Sequence, residues 1–203
     1  MRKLLLTLLL LPVCFLPVSA QDNWSSAIKK LQSALVFLEI PDSGCSGFVV
    51  DAARKYIQTA AHCDSETLWV DRVGAKVISK DSKKDLMILE VKDLDPSREA
   101  LKLATKDPEI GDEVMSAGYG YALERPFFRK SMVSDTAVMI PESGIGGPYI
   151  GVDSGFIGGQ SGGPVVNIDG EVVCIVQRAS DKLGIGVSAS VIRQRMGRFW
   201  AGA

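Results

Sequence analysis

The sequence predicts an all-β fold in two halves, with a short helix at each end. Three observations point there. Short apolar runs bounded by turn residues recur at regular intervals from Ser33 to Ser188, the spacing of barrel strands. A polar stretch, Asp93 to Pro108, divides them into two sets. The two ends of the mature chain carry helical periodicity instead.

Residues 1–20 read as an export signal. Arg2 and Lys3 form its positive end, Leu4 to Leu11 its apolar run, and Val18-Ser19-Ala20 a small-residue cleavage site. The run is too short to span a bilayer, and Pro12 and Pro17 interrupt the residues after it. Cleavage after Ala20 is expected, with no stable membrane insertion afterwards and a periplasmic or secreted product. Residues 23–32 suit a helix with Trp24, Ile28 and Leu31 on one face and Lys29 and Lys30 on the other. Strands are expected at Ala34 to Ile40, Gly47 to Asp51, Tyr56 to Ala61, Thr67 to Val70, Ala75 to Ser79 and Leu86 to Val91. The second set comprises Glu113 to Ala117, Phe127 to Val133, Ala137 to Ile140, Tyr149 to Asp153, Pro164 to Ile168, Glu171 to Arg178 and Ile185 to Ser188. Ser190 to Trp200 closes the chain as a helix, with Ile192, Met196, Phe199 and Trp200 on one face.

Hydrophobic residues make up 46% of the chain, enough for a sizeable core. A net charge of −1 gives no reason to expect nucleic acid as a partner. Export permits disulfides. Cys14 leaves with the signal, so Cys45, Cys63 and Cys174 remain. Cys174 sits in the apolar run Val172-Val173-Cys174-Ile175-Val176 and reads as a buried small hydrophobe. Cys45 and Cys63 are then the natural pair. One histidine and no C-x-x-C argue against a metal site, and no cofactor is expected.

The densest chemical signal is Gly158-Gly159-Gln160-Ser161-Gly162-Gly163-Pro164. A serine boxed by glycines suits a tight loop that aims amide N–H groups at whatever the hydroxyl attacks. A serine needs a general base, and the chain has one histidine, His62, within Thr59-Ala60-Ala61-His62-Cys63. The G-x-S-x-G pattern also fits the elbow of α/β-hydrolases, but there the histidine comes after the serine, and none does here. The order His, Asp, Ser remains. Asp64, Asp71, Asp81 and Asp85 are candidates for the acid. Asp64 is too near His62 in sequence, whereas Asp85 heads the apolar strand Leu86 to Val91, a fixed and shielded place.

The segments around His62 and Ser161 resemble the signatures of trypsin-like, chymotrypsin-fold serine proteases, and Asp85-Leu86-Met87-Ile88-Leu89 resembles the acid motif between them. The Gly44-Cys45-Ser46-Gly47-Phe48 segment and Asp153 are more similar to the bacterial HtrA/DegP-type branch. The resemblance implies two six-stranded antiparallel β-barrels, at about 33–95 and about 109–190, a helix at about 190–200, and residues 21–203 as one protease domain. It implies Ser161 as nucleophile, His62 as base and acid, Asp85 as orienter, and the N–H groups of Gly159 and Ser161 as oxyanion hole. It also matches the Cys45–Cys63 pairing. The implied activity is a serine endopeptidase acting on proteins or peptides; a non-catalytic peptide-binding or chaperone-like module on the same fold is the alternative. Gln160 departs from the acid that many trypsin-like enzymes place before the serine to pair with a freed amino terminus. The chain ends at Ala203, and a PDZ domain is not expected. The substrate pocket would be walled by Ser154 to Gly158, Gln177 to Ala179 and Gly186 to Ser188. Gly155, where trypsin has its basal acid, and Phe156, Gln177, Gly186 and Ser188 carry no charge, so small or medium uncharged residues are expected before the scissile bond, unless Asp153 or Asp181 reaches in.

Overall fold

The computed structural model describes residues 24–41, 43–123, 125–140, 147–178 and 182–202; residues 1–20, Ala179 and Asp181 lie outside them. Helix α1 (Ser25–Ala34) leads into β1 (Leu35–Ile40), β2 (Ser43–Asp51), β3 (Tyr56–Thr59), β4 (Trp69–Val70), β5 (Val73–Asp81) and β6 (Leu86–Val91). These close into an antiparallel barrel in the order β1-β2-β3-β6-β5-β4. Strands β7 (Glu113–Gly118), β8 (Phe127–Val138), β9 (Tyr149–Val152), β10 (Pro164–Val166), β11 (Val172–Arg178) and β12 (Gly184–Ser188) close the second, in the order β10-β11-β12-β9-β8-β7. Helix α2 (Ala189–Met196) ends the fold, capped by the Ser188 hydroxyl, which accepts from the Val191 N–H. Among the described residues no helix is long and apolar enough to cross a membrane.

The unbroken apolar runs are explained by burial on both faces. Successive side chains on a strand point to opposite sides. Along β6, Met87, Leu89 and Val91 fill the first barrel, while Leu86 and Ile88 face a second cluster between the barrels. Along β11, Val173, Cys174 and Val176 fill the second barrel, while Val172 and Ile175 join that central cluster. Both helices pack there too: Ala27 and Leu31 from α1, Ile192 and Met196 from α2, and Trp200 edge-on to Phe48 of β2 at 5.7 Å. The connection after β6 is pinned rather than loose. The Leu101 N–H donates to the Val49 carbonyl, and the backbones of Lys102 and Ala104 exchange hydrogen bonds with Val172.

Two expected strands in the second half, Phe127 to Val133 and Ala137 to Ile140, are one. Strand β8 runs through Ser134-Asp135-Thr136 with two irregularities in its pairing to β9. A mostly exposed strand lets polar residues through without breaking the ladder. Conversely, Tyr56 to Ala61 ends as a strand at Thr59, where the chain turns into one 3₁₀ turn, Ala61–Cys63.

Cys45 of β2 is bonded to Cys63, closing a loop of 18 residues, worth about 3 kcal/mol in the chain-entropy account. Cys174 is free and buried. Burial, reinforced by the charge of Asp107, pushes its thiol well above the ordinary range. A protein beginning at Gln21 should therefore show no thiol reactive to Ellman's reagent when native. It should show one after unfolding without reductant. More than one would break the Cys45–Cys63 assignment.

Candidate active site

His62 stands on the 3₁₀ turn directly after β3, beside the disulfide. Asp85 closes the β5–β6 hairpin, immediately before β6. Its φ is +56°, a left-handed conformation that aspartate tolerates better than most side chains. The carboxylate is nearly sealed from water, 2% exposed, and grips His62 twice. One oxygen accepts from the His62 backbone N–H at 2.8 Å and the other meets Nδ1 at 2.7 Å. A carboxylate oxygen against Nδ1 favours the tautomer with the proton at Nδ1, which leaves the Nε2 lone pair open. The imidazole is 44% exposed, open to a reactant.

The other acids are engaged elsewhere. Asp64 pairs with Lys80 at 2.7 Å. Asp71 accepts from the Phe37 N–H and pairs with Arg98. Asp81 accepts from the Lys83 and Lys84 N–H groups.

Ser161 lies between the barrels. The Ser46 N–H of β2 donates to its carbonyl at 2.8 Å, and Cys63 Sγ lies 3.9 Å from the same oxygen. That second approach is a contact, since a disulfide sulfur carries no hydrogen. Gly162 donates to Val176 O at 2.8 Å, and Gly163 to Gln160 O at 2.9 Å. Ser161 thus sits beside the Ala61–Cys63 turn, with no hydrogen bond from its hydroxyl to His62 in this structure. Free serine–histidine pairs are often long before substrate arrives.

The turn ahead of Ser161 has a defined orientation. Gln160 N donates to Ile157 O at 3.1 Å, and Gly159, its third residue, has φ +96°. That is a type II turn, which requires glycine or its like at that place. The Gly158 carbonyl is held by Tyr121 N at 2.7 Å. In a trans peptide the N–H points opposite to the carbonyl, so the Gly159 N–H faces away from Tyr121. Likewise Gln160 O is held by Gly163 N, which turns the Ser161 N–H the other way. Neither the Gly159 nor the Ser161 N–H donates to any described residue. Gln160 is buried, and its Oε1 accepts from Ile157 N at 3.0 Å. It braces the turn it belongs to.

The pocket residues divide. Gly155 is buried, and its carbonyl accepts from the Arg129 guanidinium at 2.5 Å. Phe156 belongs to the second barrel's core, with its ring against Gly184, where a Cβ would lie 2.8 Å from Cε2. Gln177 is the extra residue of a bulge in the β11–β12 pairing and is buried, with Oε1 unpartnered. Gly186 faces Cys174, and the Ser188 hydroxyl is turned onto α2. Asp153 accepts from Met132 N, on the side of β8. The cluster Cys45, His62 and Cys63 has metal-ligand spacing, but both sulfurs are in the disulfide and offer no thiolate. Sequence reasoning missed the roles of Ser46 and Tyr121 around this loop; a lone serine and a backbone N–H leave no periodic signal.

The family described as trypsin-like peptidase domain matches residues 45–175, a span that includes His62, Asp85 and Ser161. The chain belongs to that family. It is 28% identical over 206 residues to the mitochondrial serine protease HTRA2 of Bos taurus, covering 90% of this chain and 43% of that one. It is 26% identical over 157 residues to the periplasmic serine endoprotease DegP of Salmonella typhimurium, covering 70% and 32%. The chain thus spans less than half the length of these relatives. Among solved structures, the HtrA-type protease AlgW with tripeptide superposes with a TM-score of 0.75 at 17% identity, covering 87% of this chain and 63% of that one. The serine endoprotease from Yersinia pestis superposes at 0.71 and 19%, covering 89% and 67%. At these identities the superpositions speak for the double-barrel fold.

The loop's geometry makes Gly162 irreplaceable. Its φ is +81°, and a Cβ would lie 2.2 Å from Thr59 Oγ1 and 2.4 Å from Ser46 O. Gly162→Ala should lose about 2 kcal/mol or more in urea denaturation. Gly158→Ala, with nothing within 4 Å of its Cβ, should stay within about 0.5 kcal/mol of wild type. Equal effects would contradict this packing.

Proposed function

We propose that this protein is an exported serine endopeptidase that cleaves proteins or peptides through an acyl-enzyme. The observation that carries the reading is the double grip of Asp85 on His62, which turns Nδ1 to the carboxylate and leaves Nε2 free to serve Ser161 as base. In the first half-reaction Ser161 Oγ attacks the scissile carbonyl carbon, and His62 Nε2 takes the hydroxyl proton. The carbonyl oxygen becomes an oxyanion held by the Gly159 and Ser161 N–H groups, which have no other acceptor among the described residues. Collapse breaks the C–N bond, and His62 returns the proton to the leaving amine. A water then repeats the sequence on the ester, releasing the acid and restoring Ser161. Asp85 holds the Nδ1 side of the ring throughout, orienting the imidazole.

The export signal read at residues 1–20 and the disulfide agree with an oxidising compartment. The periplasmic address of DegP belongs to that relative; for this chain it supports the same location. A labelled protein digest is the first test. Ser161→Ala and His62→Ala should each lower kcat by about 10⁶-fold, and Asp85→Asn by about 10⁴-fold, all with wild-type melting curves. An Asp85→Asn variant of near wild-type rate would mean that another group orients His62.

Specificity follows from charge. Gly155 offers no counter-ion, and the Arg129 guanidinium on its carbonyl opposes a substrate lysine or arginine. Burying an unpaired cation there is costly, whereas an aliphatic side chain gains roughly 0.8 kcal/mol per buried methylene. Peptide-library cleavage should occur after Val, Ala or Leu, with broad preference. A profile dominated by Arg or Lys would sink this assignment.

A further inference from the structure

Ser46 is a fully buried serine of β2, in the barrel opposite the nucleophile loop. All its polar atoms are engaged. Its N–H donates to Ser161 O at 2.8 Å, and its carbonyl accepts from Thr59 Oγ1 at 2.8 Å. Its hydroxyl donates to Gly159 O at 2.8 Å and accepts from Tyr119 N at 2.8 Å. One side chain of the first barrel thus holds both segments that orient the oxyanion turn. It fixes the carbonyl of Gly159 directly. Through Tyr119 it anchors the Tyr119-Gly120-Tyr121 segment, whose last N–H holds the Gly158 carbonyl.

We propose that Ser46 is a positioning residue for proteolysis, locking the Gly158–Gly159 peptide in the orientation that presents its N–H to the oxyanion. This rests on the reading of Ser161 as nucleophile. The physical reason is that type I and type II turns differ by a flip of the central peptide. Glycines at both central positions leave that flip sterically open. Holding Gly158 O and Gly159 O from two sides selects one orientation. Without the Ser46 hydroxyl, the Gly159 carbonyl and the Tyr119 N–H would both be buried without partners. The flipped turn, which points a carbonyl where the N–H stood, would then compete. The space is also shaped for a serine: a Cβ on Gly118 would lie 2.7 Å from Ser46 Oγ, and one on Gly163 3.4 Å from Ser46 Cβ.

The test compares wild type, Ser46→Ala and Ser46→Cys on a fluorogenic peptide and with a peptide boronic acid, whose tetrahedral adduct on Ser161 places an oxygen in the oxyanion hole. Ser46→Ala should lower kcat by about 10- to 100-fold, short of the ~10²–10³ lost with a whole oxyanion donor. Boronate affinity should weaken by a similar factor. KM and the acid limb of the pH profile should stay within about 2-fold, because neither reports the turn. Ser46→Cys, keeping a weak donor, should fall between, and it carries the test should the alanine variant not fold. Wild-type rates in Ser46→Ala would overturn the proposal alone. So would a loss with a displaced pH profile, which would place the fault at His62 and Asp85. A wild type that neither hydrolyses peptides nor binds boronate would overturn the catalytic reading and this proposal with it.

Discussion

At the loop that carries Ser161 the two barrels meet backbone to backbone, the Ser46 N–H donating to Ser161 O at 2.8 Å. Gly162 passes within van der Waals reach of Thr59, Ala60 and Ser46, with room for no side chain. That single constraint explains much of the sequence around it. Glycines flank Ser161 because the loop must fold back on itself and touch the other barrel at once. The β3 strand stops at Thr59 because the chain must turn there to leave space. The disulfide joins β2 to the turn that carries His62, stiffening the other wall of the same gap. Phe48, Ile88, Ile175 and Trp200 share the core cluster that joins the barrels beside this contact.

Within that gap the electrostatics are asymmetric. Asp85 is buried, and the imidazole it holds is open on its other side. A buried carboxylate is tolerable when hydrogen bonds replace its lost water. Here both oxygens go to one residue, so the ring has little freedom to turn. The left-handed backbone at Asp85 is the local strain that aims the side chain this way, and the well-buried strand behind it holds that strain in place.

The parts of this arrangement that sequence can reveal are those carried by pattern. Leu86 to Val91 is legible to the residue because its apolar run admits no other buried strand. Gly159 to Pro164 is legible because glycine is dense there for a steric reason. The Cys45–Cys63 pair follows from the third cysteine's apolar surroundings. Strand β8 reads as two in sequence because its exposed face tolerates Ser134, Asp135 and Thr136, and periodicity has no grip on a solvated surface. The positive φ of Asp85 is invisible there, since an aspartate at a strand start is ordinary in one dimension. Phe156 reads as a pocket wall, yet most of its ring is core. An aromatic between Gly155 and Ile157 gives no hint of which side it faces.

Gln160 shows how a departure in sequence can have a local explanation in structure. An acid at this place would need a cation to neutralise it, and burial makes that need strict. In the trypsin-type arrangement the cation is a distant, newly freed amino terminus. A glutamine has no charge to satisfy. Its Oε1 instead accepts the N–H of Ile157, the first residue of the same turn. The brace spans three residues rather than the width of the molecule, and it forms when the turn forms. A neutral hydrogen bond also has no titration of its own between the acid range and the alkaline one, so the brace is independent of pH in a way an ion pair is not. On this physics the turn before Ser161 is supported from within by Gln160 and from the neighbouring loop by Tyr121, and neither support calls for cleavage of the chain to create it.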